Sequence, residues 1–336
     1  MIDAVAPFQH VLRLTDEVGI FEHAEGSSPR RHLGYCVDDV ARALVVATRQ
    51  PDPSLPLGVA TRRYVEFVAS AQAPDGRCHN RLGLDRRWQD EPTLDDCWGR
   101  ALWGLGTAAA RASDGEIRCV AGHHFARSAG LRCRSRRSMA FAALGAAEVL
   151  DATPDDPAAR ALLAAVPPVI GGPSRSPAWP WPEPRLAYAN AVLPEALIAA
   201  GEHLGDRRSL DAGLHLLGWL LDTETRNDHL SVTPVGGWTL GEPRPGFDQQ
   251  PIEVAALAEA CARALSITGD VRWARGLERA VGWFLGDNDT GCALFNPATG
   301  GGYDGLQRVG HNGNQGAEST LAMVATLQRA QPPIPR

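Results

Sequence analysis

The chain has 336 residues, of which 44% are hydrophobic and 21% charged, as is typical of a packed globular protein. Its formal net charge is −6, so it lacks the basic balance of a nucleic-acid-binding surface. The seven cysteines include no CxxC pair, which favours a reducing compartment over a disulfide framework. No signal peptide and no membrane-spanning segment is visible. We therefore expect a cytoplasmic protein that binds neither nucleic acid nor membrane.

Apolar residues recur at helical spacing through most of the chain. Six alanine-rich segments begin, in chain order, near Val37, Asp96, Ser138, Glu195, Glu253 and Glu318. Most of them alternate with a more amphipathic segment, as at residues 62–71, 210–221 and 273–285. Small residues allow inner helices to crowd around an axis, while amphipathic helices cover them from outside. The sequence therefore predicts an all-α (α/α)6 toroid of helical hairpins, with residues 1–336 forming one domain and long loops on one face.

Two segments fit this scheme less well. Residues 113–137 combine several glycines with a run of arginines, and the pattern does not indicate the outer helix expected for the second hairpin. Residues 229–239 are the best candidate for a short strand or hairpin, because few other segments alternate with a period of two.

A pair of adjacent aspartates occurs at two of the helix starts, at Asp38-Asp39 and at Asp95-Asp96, and each pair is followed by Arg-Ala-Leu. A single aspartate at such a position is ordinarily a helix cap or a partner of the helix dipole. Two adjacent acids repel each other and only one of them can cap. The repeated pair therefore indicates a second role in addition to capping.

Further polar residues precede or open the alanine-rich helices, and parallel inner helices bring all of them to one mouth of the toroid. Carboxylates and amides bind sugar hydroxyls, and indoles cover the apolar face of a pyranose. We interpret these residues as a carbohydrate site. The candidate substrate-binding residues are Arg31, His32, Tyr35, Asp38, Asp95, Trp98, Trp238, Gln249, Gln250, Tyr303, Asp304, Asn312, Asn314 and Gln315.

Three segments carry a resemblance to a known group of proteins. They are GYCVDDVARAL at residues 34–44, DQQPIE at 248–253 and NQGAEST at 314–320. Together they resemble a bacterial group within the six-hairpin glycosidase-like superfamily, whose members are often labelled as glycosyltransferase or glycosidase-like. The resemblance covers nearly the whole chain and implies an (α/α)6 toroid. It leaves the reaction open, because the superfamily includes inverting hydrolases, lyases, phosphorylases and epimerases.

Our leading hypothesis is a glycoside hydrolase that acts on an oligosaccharide with two carboxylates. An inverting enzyme holds them about 6.5–9.5 Å apart so that water fits between them. Asp39 or Asp96 is the candidate base, and Glu253 or Glu318 the candidate acid.

Two alternatives to a hydrolase remain. The first is a non-catalytic sugar-binding partner of a glycosyltransferase. The second is an epimerase or isomerase that uses His32 and His311 or a tyrosine. We expect no cofactor and no metal, since Cys119, His123, His124 and Cys133 match no zinc-binding spacing.

Overall fold

The computed structural model describes residues 7–331. Helices account for most of its regular structure. In chain order they are α1 (Gln9–Arg13), α2 (Val37–Thr48), α3 (Leu55–Ser70), α4 (Asp96–Arg111), α5 (Gly115–Ser128), α6 (Arg136–Ala152), α7 (Pro157–Ala164), α8 (Val166–Ile170), α9 (Val192–Leu204), α10 (Arg207–Thr223), α11 (Pro251–Thr268), α12 (Val271–Leu285) and α13 (Ala317–Ala330).

These helices form two concentric layers. Helices α2, α4, α6, α9, α11 and α13 make the inner layer, in which each packs against the next and α13 packs against α2. The outer layer contains α3, α5, α7 with α8, α10 and α12, and α1 lies beside α3 and α13. The contact between α13 and α2 closes the ring, so the predicted (α/α)6 toroid is confirmed.

Glycine allows two of the inner helices to pack backbone against backbone. A Cβ atom on Gly106 would lie 2.3 Å from the carbonyl oxygen of Gly145, and one on Gly145 would lie 2.1 Å from that of Leu102. Gly99 makes an equally close approach to Ser138. Any larger side chain at these positions would push α4 and α6 apart, which explains why the facing sides of these helices consist of small residues.

Among residues 7–331 the named strands form four antiparallel pairs of two-residue strands, all in the loops. They pair β1 (Ala24–Glu25) with β2 (Ser28–Pro29), β3 (Tyr35–Cys36) with β4 (Arg81–Leu82), β5 (Thr225–Arg226) with β6 (His229–Leu230), and β7 (Phe295–Asn296) with β8 (Gly301–Gly302). The strand expected over residues 229–239 is therefore correct only for its first two residues. A 3₁₀ turn at Arg31–Leu33 precedes β3.

The outer helix that the sequence did not indicate within residues 113–137 is present as α5. The side chain of Asp114 accepts a hydrogen bond from the Glu116 amide and caps the helix. Ile117, Ala121 and Phe125 form a narrow buried stripe at a spacing of four residues. Only two glycines and two arginines of this segment fall within α5, and they lie outside the stripe. The others follow the end of the helix. No helix among residues 7–331 is both long and apolar enough to cross a membrane.

Candidate active site

The amino-terminal ends of the inner helices meet at one end of the ring. Side-chain contacts join α2 to α13, α2 to α4 and α4 to α6 at this end. Acidic residues in the first turns of these helices are favoured by the helix dipoles. We call this end the N-terminal mouth, formed by Glu22, Asp38, Asp39, Arg42, Asp96, Arg100, Ser138 and Glu318.

Arg42 connects the first and last inner helices. Its Nη1 donates to Asp39 Oδ1 at 2.5 Å and its Nη2 donates to Glu318 Oε2 at 2.7 Å. The side chain of Glu318 is 39% exposed, whereas that of Asp39 is 4% exposed. Glu318 is therefore the carboxylate of this pair that a ligand in the mouth can reach.

Burial raises the pKa of Asp39 to about 8. Arg42 lowers this pKa, but its charge is shared with Glu318, and the carboxylates of Glu318, Glu22 and Asp38 raise it further. Asp39 is only 3% exposed, so a substrate in the mouth has little access to it as a general base. Its contact with Arg42 indicates that it holds the Arg42 side chain in position within the mouth.

Asp38 and Arg100 face each other without forming a good hydrogen bond. Arg100 Nε lies 3.7 Å from Asp38 Oδ1, and both atoms are buried without a hydrogen-bond partner among the described residues. The second oxygen of Asp38 accepts from Asn80 Nδ2 at 3.1 Å, and the Arg100 guanidinium lies over the Phe141 ring. A buried polar atom without a partner is costly, so this pair is a natural place for a ligand or water to bind.

Asp96 occupies the neighbouring position on α4. Its Oδ1 accepts a hydrogen bond of 3.0 Å from the Ser138 hydroxyl on α6. Burial raises the pKa of Asp96, and the nearby Asp38 adds to the rise. Asp96 is only partly buried, so it combines access to the mouth with a raised pKa.

Glu253 has a different environment from the acids of the mouth. Its carboxyl oxygens accept from the Ala189 amide and, at 3.1 Å each, from the Asn190 amide and Asn190 Nδ2. Burial and the nearby Glu224 raise its pKa to about 8, but the residue is 3% exposed. Glu253 thus holds the loop before α9, where Ala189 adopts a positive φ of 44°.

Several candidate substrate-binding residues are used inside the protein. Gln249 is fully buried, and its amide bonds to Gly246, Asp289, Val232 and Trp283. Gln315 accepts from Thr299, Asn314 accepts from the Gly26 amide, and the buried Tyr35 donates to Asp16. The indole of Trp98 is fully buried, and that of Trp238 packs against Trp179 and donates to Glu242. These residues shape the loops around the mouth and leave little for a ligand.

The loop before α13 contributes a second group of candidates. Asp304 accepts from the Gly316 amide, and Asn312 accepts from the Asn314 amide. The Tyr303 ring stacks on His311 with 3.6 Å between ring centroids. Tyr303, Asp304, His311 and Asn312 are all partly exposed, so this loop remains available for a ligand.

The remaining candidates are more exposed. Arg31, His32 and Asp95 lie on the surface, and Gln250 is partly buried at the start of α11. Gln250 and His32 make no side-chain hydrogen bond to any described residue. They stay candidates for contacts at the outer edge of the site.

The sequence interpretation passed over the two arginines of the mouth. Arg42 and Arg100 are the arginines of the repeated Asp-Asp…Arg-Ala-Leu pattern. One helical turn separates Asp39 from Arg42, and residues three or four apart lie on the same face of a helix. The repeated pattern therefore contained the evidence for these arginines, but the sequence interpretation used only its aspartates.

One group of residues meets the geometric requirement for a metal site among residues 7–331. One atom each from Glu22, Cys36 and Asp39 lies within 4.8 Å of the others. Glu22 already pairs with Arg81, and Asp39 with Arg42, so both acids have a cationic partner within the protein. Cys119, His123, His124 and Cys133 do not form such a group.

Comparison with known proteins gives structural neighbours only. No protein family and no curated protein matches the sequence. A D-mannose isomerase matches with a TM-score of 0.70 and 10% identity, covering 96% of this chain and 94% of that one. The chain has the six-hairpin (α/α)6 toroid fold.

Two further neighbours extend the range of carbohydrate chemistry on this fold. A sugar epimerase from a ruminal bacterium matches with a TM-score of 0.69 and 13% identity, covering 99% and 97% of the two chains. The GH76 alpha-mannanase of Bacteroides thetaiotaomicron matches with a TM-score of 0.63 and 10% identity, covering 96% and 93%. Identities this low support the fold and leave the reaction to be argued from the site.

Proposed function

We propose that the protein is a carbohydrate-active enzyme that hydrolyses a glycosidic bond in its N-terminal mouth by means of two carboxyl groups. The observation that carries this proposal is the pair of partly exposed acids Asp96 and Glu318, with Arg42, Asp38 and Arg100 between them. Among the described inner helices the only histidine is His203, near the carboxyl end of α9. The acid and base groups available on the wall of the mouth are therefore carboxyls.

The environments of these acids suggest their roles. We assign Asp96 as the general acid, because its pKa is raised and it is partly accessible. Its proton passes to the glycosidic oxygen as the bond from that oxygen to the anomeric carbon breaks. Glu318 is the candidate base that removes a proton from the water whose oxygen joins the anomeric carbon. This exchanges the acid and base roles that the sequence favoured for the two residues.

The two acids occupy nearby positions around the ring. Because α13 packs against α2, Glu318 is a neighbour of Asp39, and Asp96 lies on the other side of α2. Inversion at the anomeric carbon requires room for a water molecule between Asp96 and Glu318, across the start of α2. The inverting mechanism is part of the proposal.

Epimerisation or isomerisation is the second candidate function. The stacked pair Tyr303 and His311 beside the mouth favours it, since both side chains can transfer protons. Structural neighbours of this kind are as similar as the hydrolases.

Proton NMR in D2O, with mannose- and glucose-based oligosaccharides and the free sugars, tests these functions together. Hydrolysis produces new reducing ends, and inversion is read from the anomer that appears first. Epimerisation or isomerisation changes the sugar without cleavage and exchanges carbon-bound hydrogen for deuterium. Binding without any reaction would support a sugar-binding partner of a glycosyltransferase and would reject the enzyme proposal.

Substitutions then test the assigned roles. We expect Asp96→Asn and Glu318→Gln each to reduce kcat by about 10²–10⁴-fold, the usual range for loss of a general acid or base. Glu278→Gln, an exposed substitution on α12, is the matched control and retains full activity. Glu253→Gln also retains turnover if Glu253 only holds its loop. Undiminished kcat in Asp96→Asn would remove that residue from the mechanism.

A further inference from the structure

An apolar cavity lies on the axis of the ring, directly below the Arg42–Glu318 pair. Its walls come from all six inner helices and include Val45, Trp103, Phe141, Leu144, Ile252 and Leu321. Polar groups occur only at its two ends. Arg42 and Glu318 lie at the mouth, and Glu195 and Glu259 lie at the floor. We call this space the axial cavity.

The axial cavity is unsuited to a sugar ring. A pyranose carries several hydroxyl groups, and each loses hydrogen bonds to water when it enters an apolar space. The side walls offer almost no partner for such groups. A sugar is better accommodated above, where Asp38, Arg100 and Asp96 supply charged and polar atoms.

We propose that the axial cavity binds a short unbranched apolar group that is attached to the sugar held in the mouth. The substrate class is then a glycoside with an alkyl or similar apolar aglycone. The glycosidic oxygen would lie at the boundary between the polar mouth and the apolar walls. Glu318 is at this boundary, because it belongs to the mouth and also lines the cavity. This inference rests on the proposed function.

Small residues keep the cavity open. Ala255, Ala322 and Ala325 face it from α11 and α13, and they retain 8%, 5% and 7% exposure although they belong to inner helices. A leucine at any of these positions would project into the space. Alanine at three positions of the wall therefore sets the width of the cavity.

The size of the cavity limits the length of the group. The volume of the cavity that the centre of a water molecule can occupy is about 50 Å³. On this measure, one water needs about 10–15 Å³. It therefore holds about four waters, or an unbranched chain of about four carbon atoms. A longer chain would reach Glu195 and Glu259, which are ion-paired with Arg263 and Arg49 and would be separated from their partners.

A homologous series of alkyl glycosides tests this proposal. Binding of the methyl, ethyl, propyl, butyl and hexyl glycosides of D-mannose and D-glucose, in both anomers, is measured by calorimetry. Each buried methylene contributes about 0.8 kcal/mol, so we expect the Kd to fall about fourfold for each carbon up to butyl. From methyl to butyl the Kd falls about 60-fold in total, with no further fall for hexyl.

Filling the cavity provides the second measurement. Ala325→Leu is expected to remove the dependence of the Kd on chain length. With Ala325→Val, we expect the Kd to stop falling at an alkyl chain that is one or two carbons shorter. Ala126→Leu, on the exposed face of α5, is the matched control and keeps the full dependence. Thermal unfolding of each variant shows whether it is folded, and Ala325→Val decides the matter if the leucine variant does not fold.

The outcomes separate this inference from the proposed function. Glycoside cleavage with a Kd that is independent of chain length would overturn the inference and leave the function intact. A chain-length dependence that Ala325→Leu removes, without any cleavage, would support the cavity and reject the hydrolase. If none of the glycosides binds, the inference is wrong.

Discussion

The two ends of the ring use the same kinds of charged residue with opposite results. The end opposite the N-terminal mouth, here the C-terminal pole, gathers Arg49, Arg111, Arg263, Arg329, Glu148, Glu195, Glu202 and Glu259. Arg49 donates to Glu259 at 2.5 Å and to Glu148 at 3.3 Å, and Arg329 donates to Glu259 at 2.7 Å. Arginine at the carboxyl ends of helices is favoured by their dipoles.

The electrostatic consequences differ between the two ends. At the C-terminal pole, Arg49 and Arg111 outweigh the effect of burial and lower the pKa of Glu148 to about 2. At the N-terminal mouth, burial dominates and raises the pKa of Asp39 to about 8. Arg49, Arg263 and Arg329 each form an ion pair with a glutamate of the pole. The mouth instead keeps two partly exposed acids, Asp96 and Glu318, and the Asp38–Arg100 contact without a hydrogen bond. A charged cluster therefore indicates a site only where its charges remain unsatisfied.

The largest expected effect comes from breaking the C-terminal pole. Glu148→Ala leaves the buried Arg49 with one partner and removes a partner from Arg111, which we expect to cost about 3–5 kcal/mol of unfolding free energy. Urea unfolding measures this, with Glu278→Ala on the surface as the control at less than about 0.5 kcal/mol. A loss as small as the control's would mean that the pole is not structural.

Substitution of Glu253 tests whether an acid near the start of an inner helix can contribute to stability and not to catalysis. Glu253→Ala removes the acceptor of the Ala189 and Asn190 amides and leaves buried donors unpaired. We expect a loss of about 3 kcal/mol in the same unfolding measurement. Wild-type stability together with lost turnover would instead return Glu253 to the catalytic group.

The raised pKa of Asp39 predicts an unusual pH dependence of stability. The folded state holds a proton on Asp39 up to about pH 8, whereas the unfolded chain releases it near pH 4. The stabilising effect is complete below pH 4 and falls by about 1.4 kcal/mol per pH unit as the pH rises to 8. The difference between wild type and Asp39→Asn, measured from pH 5 to 8, isolates this slope. A constant difference would show that Asp39 is ionised throughout.

Glu318 should give the smallest effect on stability. Its side chain is 39% exposed, and such pairs contribute about 0–1 kcal/mol. We expect Glu318→Gln to change the unfolding free energy by less than about 1 kcal/mol while it reduces turnover strongly. A loss comparable to that of Glu148→Ala would contradict the distinction between the two ends.

The helical ring could be predicted from the sequence because its signals are local. Alanine-rich inner segments and amphipathic outer segments each bury one face, and that periodicity is present in the sequence without reference to any partner. Helix α5 was not predicted because its buried apolar stripe consists only of Ile117, Ala121 and Phe125. The glycines and arginines around them obscured a narrow pattern.

The candidate site could be predicted only in part. The acids near the starts of α2, α4 and α13 lie at one end of the ring, because parallel helices present the same end together. The fate of each acid depends on distant contacts. Glu253 accepts a hydrogen bond from Asn190 in the loop before α9, and Gln249 bonds to Trp283 and Asp289. Their sequence neighbours give no sign of these partners.

The order and type of the helices, and the end of the ring at which their first-turn acids lie, follow from periodicity and helix polarity, which are local properties of the chain. Which of these acids remain exposed depends instead on contacts between distant parts of the chain. Ring closure brings Glu318 to Arg42 across 276 positions of the chain. The rotation of α2 turns Asp39 inward and leaves Asp38 at the rim. Burial and ion pairing depend on what packs opposite a residue, so they are fixed only when the ring closes.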